Sequence, residues 1–270
     1  MIIGGKSFDT LNNTYLMGIL NVTRDSFSDG GKYNNVDAAL FHARKMVEEG
    51  ADIIDVGGES TRPGATPVSA AEEMERVLPV IEIIKKNIDI PISLDTYKAS
   101  VAREGIKAGA DMINDIWGLT GDDKIAGVIK ENNVSVVIMH NSKCPSYHDL
   151  PTDVVNSLMV NLDIAHKAGI SDDKIILDPG IGFAKNTDEC LELINSMDVL
   201  KKALDYPWMM AASRKSVIGN TLKLPVEERL EGTLAITTLA CDRGFSFVRV
   251  HDVSENRRVI DFMKALKEKG

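Results

Sequence analysis

Three segments of the chain repeat one pattern at nearly constant spacing, and that spacing restricts the fold more than any other feature. EEGADIIDVGG closes on Gly58, KAGADMINDIWG on Gly118 and KAGISDDKIILDPGIG on Gly182. Each runs from a charged helix end through a glycine and a short polar turn into an apolar strand that stops at a polar residue. Gly50, Gly109 and Gly169 fit the left-handed position that ends a helix, where a Cβ would clash. Gly109 follows Gly50 by 59 residues and Gly169 follows Gly109 by 60. That is two βα units of about 30 residues each, and the same period over the whole chain gives eight units.

Short apolar runs mark the strands at 15–20, 52–56, 91–94, 111–113, 134–139, 174–177, 207–212 and 245–250. Near-continuous apolar runs of this length are what strands buried on both faces require. Helical patterns lie between them. In 36–49, Val36, Ala39, Leu40, Ala43, Met46 and Val47 share one face, with Asp37, Arg44 and Glu48 opposite. Ser69 followed by Glu72 reads as a capping box opening a helix over 69–87, in which Pro79 should cause a kink or break. Residues 1–14, with Gly4-Gly5 and Asn12-Asn13, read as a hairpin closing the bottom of the fold. Eight alternating units favour a single (β/α)8 TIM barrel over an open doubly wound sheet, and no linker divides it, so 1–270 reads as one α/β domain.

A net charge of −9 argues against nucleic acid as a partner, because no basic face is available for non-specific binding. Cys144, Cys190 and Cys241 are odd in number, far apart and without CxxC spacing, as expected of a reducing compartment. The N-terminal MIIGGKSFDT is too short and polar for a signal peptide, and no apolar run approaches membrane-spanning length. The expectation is a cytoplasmic protein with no membrane partner.

In a (β/α)8 barrel the active site lies at the C-terminal ends of the strands. There this sequence places Asn21, Asp55 with Glu59, Asp95, Asn114, His140, Asp178, the run Ser213-Arg214-Lys215-Ser216, and Arg249 with His251. Caps and turns use the same residue types, so any one of these is unremarkable. A ring of them at one face is harder to explain as capping. The stretch 208–219, WMMAASRKSVIG, is an apolar strand ending in hydroxyl, guanidinium and ammonium groups, suited to an anion or a polar ring. Arg249 and His251 alternate across Val250 and so point to one side of the last strand, where two cationic donors would suit an anion. His42, His166 and His148 have no comparable setting.

Asp95 and Asp178, with Asn114 between them, fit a general acid/base pair. They fit equally well the reading of a heterocycle, since a carboxylate accepts a paired N–H and NH2 edge. Simple N-capping competes, most strongly for Asp95 ahead of Thr96-Tyr97-Lys98. DVGGESTRPGA and NVTRDSFSDGGKY exceed the usual βα connection and read as binding loops, with Arg62 placed to swing over a ligand. There is no HxH or HExxH motif. The one suggestion of a metal is Asn21 together with a substrate phosphate, since magnesium prefers oxygen ligands and keeps its waters.

MGILNVTRDSFSDGG, DVGGESTRPGA, ISLDTYK, INDIWG, LDPGIGFAK, SRKS and VRVHDV together resemble the dihydropteroate synthase family, in its order, across positions 17 to 253. NVTxDSFSDGG and GESTRPGA are highly specific, whereas HDV alone says little. The resemblance implies condensation of 6-hydroxymethyl-7,8-dihydropterin diphosphate with p-aminobenzoate, by SN1-like loss of diphosphate, to give 7,8-dihydropteroate. It implies a pterin site of Asp95, Asn114, Ile116, Met139, Asp178, Lys215 and Arg249. Asn21, Arg249 and His251 would hold the diphosphate, with Asn21 on Mg2+. Thr61, Arg62, Pro63, Phe183 and Ser216 would surround p-aminobenzoate. Asp95, Lys215, Arg249 and His251 would carry the catalysis. A homodimer and sulfonamide sensitivity are further family expectations.

The sequence departs from the family pattern in four places. Arg24 stands where proline is usual, Ala211 and Ala212 precede SRK where glycine is common, Ala184 replaces a glycine after Phe183, and HNSKCP replaces a methionine-bearing turn. None removes a functional group. The nearest rival is a methyltetrahydrofolate–corrinoid protein methyltransferase, which shares the barrel and an Asp/Asn set but needs neither Ser213–Ser216 nor the STRPG loop. A non-catalytic pterin-binding paralogue is the other alternative, and it has no use for Asn21, Arg62, Lys215, Arg249 and His251 together.

Overall fold

The computed structural model describes residues 1–22, 32–60 and 66–269. It begins with the expected hairpin: β1 (Ile2–Ile3) and β2 (Lys6–Ser7) pair antiparallel across Gly4-Gly5, whose φ angles of 56° and 80° suit glycine. The alternation that follows is β3 (Tyr15–Asn21), α1 (Lys32–Glu48), β4 (Ile53–Gly57), α2 (Ala70–Asn87), β5 (Ile92–Asp95), α3 (Ala99–Ala108), β6 (Met112–Asp115) and α4 (Ile125–Asn132). It continues with β7 (Ser135–Met139), α5 (Leu150–Ala168), β8 (Ile175–Asp178), α6 (Thr187–Asn195), α7 (Met197–Ala203), β9 (Met209–Met210), α8 (Ser216–Leu222), α9 (Leu230–Asp242), β10 (Phe247–Val250) and α10 (Val253–Lys267).

The eight strands from β3 onward are parallel, in the order β8-β7-β6-β5-β4-β3-β10-β9, and a parallel bridge from Leu177 to Trp208 joins the two ends. The expected (β/α)8 barrel is therefore present. Side-chain alternation divides each strand between two cores. Leu16, Ile54, Leu94, Ile113, Val136, Leu177 and Val248 face outward into the helices. Met17, Ile53, Met112, Val137, Ile176, Met209 and Phe247 fill the barrel interior, and Ile3 and Phe8 of the hairpin region pack with them as a floor. The inward positions nearer the C-terminal ends are therefore the ones left for chemistry.

Several strands run one residue further than the apolar pattern predicts, because the ladder continues onto the polar residue. Asn21 pairs with Gly57, Gly57 with Asp95, Asp95 with Asn114, and Met139 with Asp178. This register sets the expected site residues side by side around the mouth. The predicted strand over 207–212 shrinks to Met209–Met210 plus the Trp208 bridge. Pro79 does not break α2, which runs unbroken from Ala70 to Asn87. Buried Val77, Val80, Ile81 and Ile84 hold the two sides of the proline to the barrel, so packing outweighs the lost hydrogen bond. Ser69 Oγ accepts the Glu72 N–H at 3.2 Å, as an N-cap should. Gly50, Gly109 and Gly169 have φ of 99°, 120° and 86°, the helix-ending role read from the repeat.

Candidate active site

The mouth of the barrel is organised by a largely buried guanidinium. Arg249, the third residue of β10, sends Nε to Asp55 Oδ2 at 2.6 Å and Nη2 to Asp95 Oδ2 at 2.7 Å. Asn114 Nδ2 donates to the same Asp55 oxygen at 3.3 Å. A carboxylate only accepts, so the Asn114 NH2 is turned to Asp55 and its carbonyl oxygen faces elsewhere. Asp55 is fully buried, and its Oδ1 has no partner among the described residues. Asp95 is thus no helix cap: the residue at the start of α3 is Lys98, and it makes no side-chain cap.

On the opposite side, Asp178 Oδ1 accepts the Gly180 N–H at 2.7 Å, which turns the chain sharply after β8. Lys215 reaches into that turn. Its Nζ donates to the Ile181 carbonyl at 2.6 Å and lies 4.6 Å from the centre of the Phe183 ring. Met139 and Ile116, both buried, end the strand and begin the loop between these two groups. Ser216 is exposed at the first turn of α8.

His251 is tied to Ser213, whose Oγ lies 3.1 Å from Nδ1 and accepts the His251 backbone N–H at 3.2 Å. Arg214 grips Asp252 with two nitrogens, Nε at 2.9 Å, and so fastens the 213–216 turn to the start of α10. Asn21 is exposed at the end of β3. A Cβ built on Gly57 would lie 3.6 Å from Asp95 Cβ and 3.7 Å from Asn21 Oδ1, so this glycine leaves the space between those two residues open. Glu59 does not join the mouth. It takes the Lys98 ammonium and the Tyr97 hydroxyl at 3.2 Å, in a network with Glu73. Thr61, Arg62 and Pro63, like Arg24, lie outside the described residues.

Burial dominates the electrostatics. It pushes the Asp95 carboxyl up to about 7, against the pull of Arg249 and with the help of Asp55. It raises Asp178 as well, with Lys215 opposing. It brings Lys215 down to about 8, where Asp178 pulls the other way and Arg249 adds to the fall. For Arg249 itself burial works against the charge, and Asp55 and Asp95 together outweigh it. The site offers carboxylates, an amide, an ammonium and a guanidinium around two apolar side chains. Such a set can read the donor and acceptor edge of a flat heterocycle.

Comparison with known proteins gives one answer. The profile of the family described as pterin binding enzyme matches residues 17–251. A dihydropteroate synthase of Clostridium beijerinckii is 52% identical over 263 residues, covering 96% of both chains. One from Bacillus subtilis is 54% identical over 257 residues, covering 95% of this chain and 90% of its own. The chain belongs to the dihydropteroate synthase family. A solved dihydropteroate synthase of Clostridium difficile, determined in the presence of pteroic acid, superposes with a TM-score of 0.93 at 48% identity, over 96% of this chain and 99% of that one.

One residue of the loop between β8 and α6 is visibly strained. Ala184 sits at φ 51°, in the left-handed region that disfavours a Cβ. The sequence places Asp55 at the mouth but gives it no role, because nothing in its neighbourhood announces that Arg249 lies across the barrel from it. Lys185 escaped the sequence reading. It was hidden inside LDPGIGFAK, and its neighbours become apparent only once the loop is folded. Away from the mouth, a cavity of about 480 Å³ opens at the N-terminal end of the barrel near Asp52, Arg257 and Lys267. Among its charged residues, Arg257 pairs with Asp52 at 3.2 Å and Lys267 donates to the Cys241 carbonyl at 2.5 Å.

Proposed function

We propose that this chain condenses 6-hydroxymethyl-7,8-dihydropterin diphosphate with p-aminobenzoate, releasing diphosphate and forming 7,8-dihydropteroate. The observation that carries the reading is the convergence of Asp95, Asn114, Asp178, Lys215 and Arg249 on one barrel mouth, in a chain about half identical to dihydropteroate synthases across nearly its whole length. In this reading Asp95 and Asp178 accept the donors on the pterin edge. Asn114 presents its carbonyl oxygen and Lys215 donates. Met139 and Ile116 pack on the ring. Arg249 lies along the pterin with its Nε and Nη2 held by Asp55 and Asp95.

The reaction proceeds by SN1-like departure of diphosphate and attack of the arylamine nitrogen on the pterin cation. No protein nucleophile is called for. Asp95 stabilises the positive charge that develops on the pterin, while Arg249 and His251 stabilise the leaving charge. Ser213 holds the His251 ring from one side, and the Arg214–Asp252 pair keeps that turn in place. Phe183 and Ser216 border the arylamine side, where Thr61, Arg62 and Pro63 complete the site by family resemblance.

Magnesium fits the donor set at Asn21. That residue offers one exposed amide oxygen, and the described residues contain no cluster of three or more His, Cys, Asp or Glu side chains able to cage a metal. A Mg2+ ion that keeps its waters and takes the remaining ligands from a diphosphate suits such a place, and when bound it would neutralise the leaving group. A homodimer rests on the family reading alone. The test is direct: purified protein with Mg2+ and both substrates should give a product of the mass of dihydropteroate. Absence of that product with intact substrates would refute the assignment.

A further inference from the structure

The loop between β8 and α6 contains a second, half-buried lysine, one with no part in the reading above. Lys185 Nζ donates to the Gly180 carbonyl at 3.1 Å, the Phe183 carbonyl at 3.1 Å and His140 Nδ1 at 2.7 Å. An ammonium has no lone pair, so His140 Nδ1 must be the acceptor and its proton sits on Nε2. Burial holds this imidazole neutral, with its pKa near 3 and the Lys185 charge adding to the fall. The His140 backbone N–H in turn donates to the Asp178 carbonyl at 2.9 Å.

The loop needs such anchors. Gly180, Gly182 and Ala184 have φ of 70°, 81° and 51°, so the backbone reverses at alternate residues and belongs to no helix or sheet that could satisfy its carbonyls. The Phe183 N–H returns to the Gly180 carbonyl at 3.1 Å, and side chains do the rest. Lys185 takes carbonyls 180 and 183, Lys215 takes 181, and the Tyr147 hydroxyl takes 184 at 2.9 Å. Cys190 Sγ accepts the Gly182 N–H at 3.2 Å. Phe183 therefore has its backbone pinned by Lys185 while its ring lies against the Lys215 ammonium.

We propose that Lys185 is a positioning residue for the arylamine substrate: by bridging the Gly180 and Phe183 carbonyls to His140 through its ammonium, it sets the Phe183 ring as a wall of the p-aminobenzoate subsite. The proposal rests on the reaction assigned above and adds a residue to it. The charged and titratable groups around Lys185 are His140 and Tyr147 after β7, Asp178 at the end of β8, Glu189 and Cys190 on α6, and Lys215 ahead of α8. Burial brings the Lys185 ammonium down to about 8, with Cys190, Asp178 and Glu189 supporting the charge and Lys215 opposing it. The charge is present below that pH and lost above it, when two N–H groups remain for three acceptors.

The test is the KM for p-aminobenzoate at saturating pterin diphosphate and Mg2+, set beside the calorimetric Kd for the pterin diphosphate. Lys185→Met should raise that KM about tenfold, the size of one lost charge-assisted hydrogen bond, and change the pterin Kd less than twofold. His140→Leu, which removes the acceptor and keeps the lysine, should show the same split and covers the case of a poorly folded Lys185→Met. In a Phe183→Leu background, Lys185→Met should add little, because the route through Phe183 is gone. An unchanged KM, a parallel rise in pterin Kd, or an additive double variant would overturn the role while leaving the reaction standing. An inactive wild type would overturn both.

Discussion

Arg249 Nε and Asp55 Oδ2 meet at 2.6 Å in the barrel interior, joining two strands that flank β3 on either side. The same carboxylate oxygen orients Asn114. One buried acid therefore fixes two of the residues assigned to the pterin, without being placed on the pterin itself.

Asp55→Asn removes the charge but keeps the shape. An amide oxygen can still accept from both Arg249 and Asn114, but the ion pair that holds the guanidinium is lost. Losing a hydrogen bond to a charged group costs about 1.5–3 kcal/mol, so pterin affinity measured by calorimetry should fall roughly 10- to 100-fold. Unchanged affinity would remove Asp55 from the account.

The paired shifts in the pocket set a pH window. Asp95, raised to about 7, gains its charge as pH climbs past that value, and Lys215, lowered to about 8, loses its charge as pH climbs further. Both charges serve a pterin edge, so affinity for the uncharged 6-hydroxymethyl-7,8-dihydropterin should peak between about 7 and 8 and decline on both sides. Lys215→Arg should bind more weakly and lose the alkaline decline, since a guanidinium keeps its proton there. Asp178→Ala should abolish most pterin binding at every pH. A flat wild-type profile from pH 6 to 9 would contradict these assignments.

Ala184 makes a prediction about stability alone. A left-handed residue with a Cβ costs roughly 1–2 kcal/mol, and glycine gives back part of the gain as unfolded-state entropy of about 0.4–1 kcal/mol. Ala184→Gly should therefore raise Tm by a few degrees, on the order of 2–4 °C per kcal/mol for a chain of this size. Gly180→Ala should do the reverse and more, because its Cβ would stand 2.0 Å from the His140 carbonyl oxygen. Calorimetric melts of the two variants check both directions.

Much of this architecture is legible in the sequence because parallel strands buried on both faces leave continuous apolar runs, and because helix-ending glycines recur with the βα period. Which residue of such a run faces inward is not legible, since Met17 and Leu16 look alike until the barrel closes. Strand ends slip by one residue for a related reason: the ladder takes in Asn21, Asp95 and Asp178, which read as loop. The mouth residues were visible as polar stops. Contacts across the barrel, such as Asp55 with Arg249, depend on closure, and the Lys185 contacts depend on left-handed turns that a composition of glycine and alanine does not spell out.

Asn21 tests the metal. If Mg2+ sits between Asn21 and the diphosphate, Asn21→Ala should raise the Mg2+ concentration needed for half-maximal binding of the pterin diphosphate and leave the binding of 6-hydroxymethyl-7,8-dihydropterin as it is. Equal metal titrations for the two proteins would place the ion elsewhere.

The most direct measurement of the central claim is diphosphate release from the pterin diphosphate in the presence of Mg2+, followed with and without p-aminobenzoate. The account predicts sustained release that matches dihydropteroate formed one for one when p-aminobenzoate is present. Release that never incorporates p-aminobenzoate, or no release at all, would contradict it.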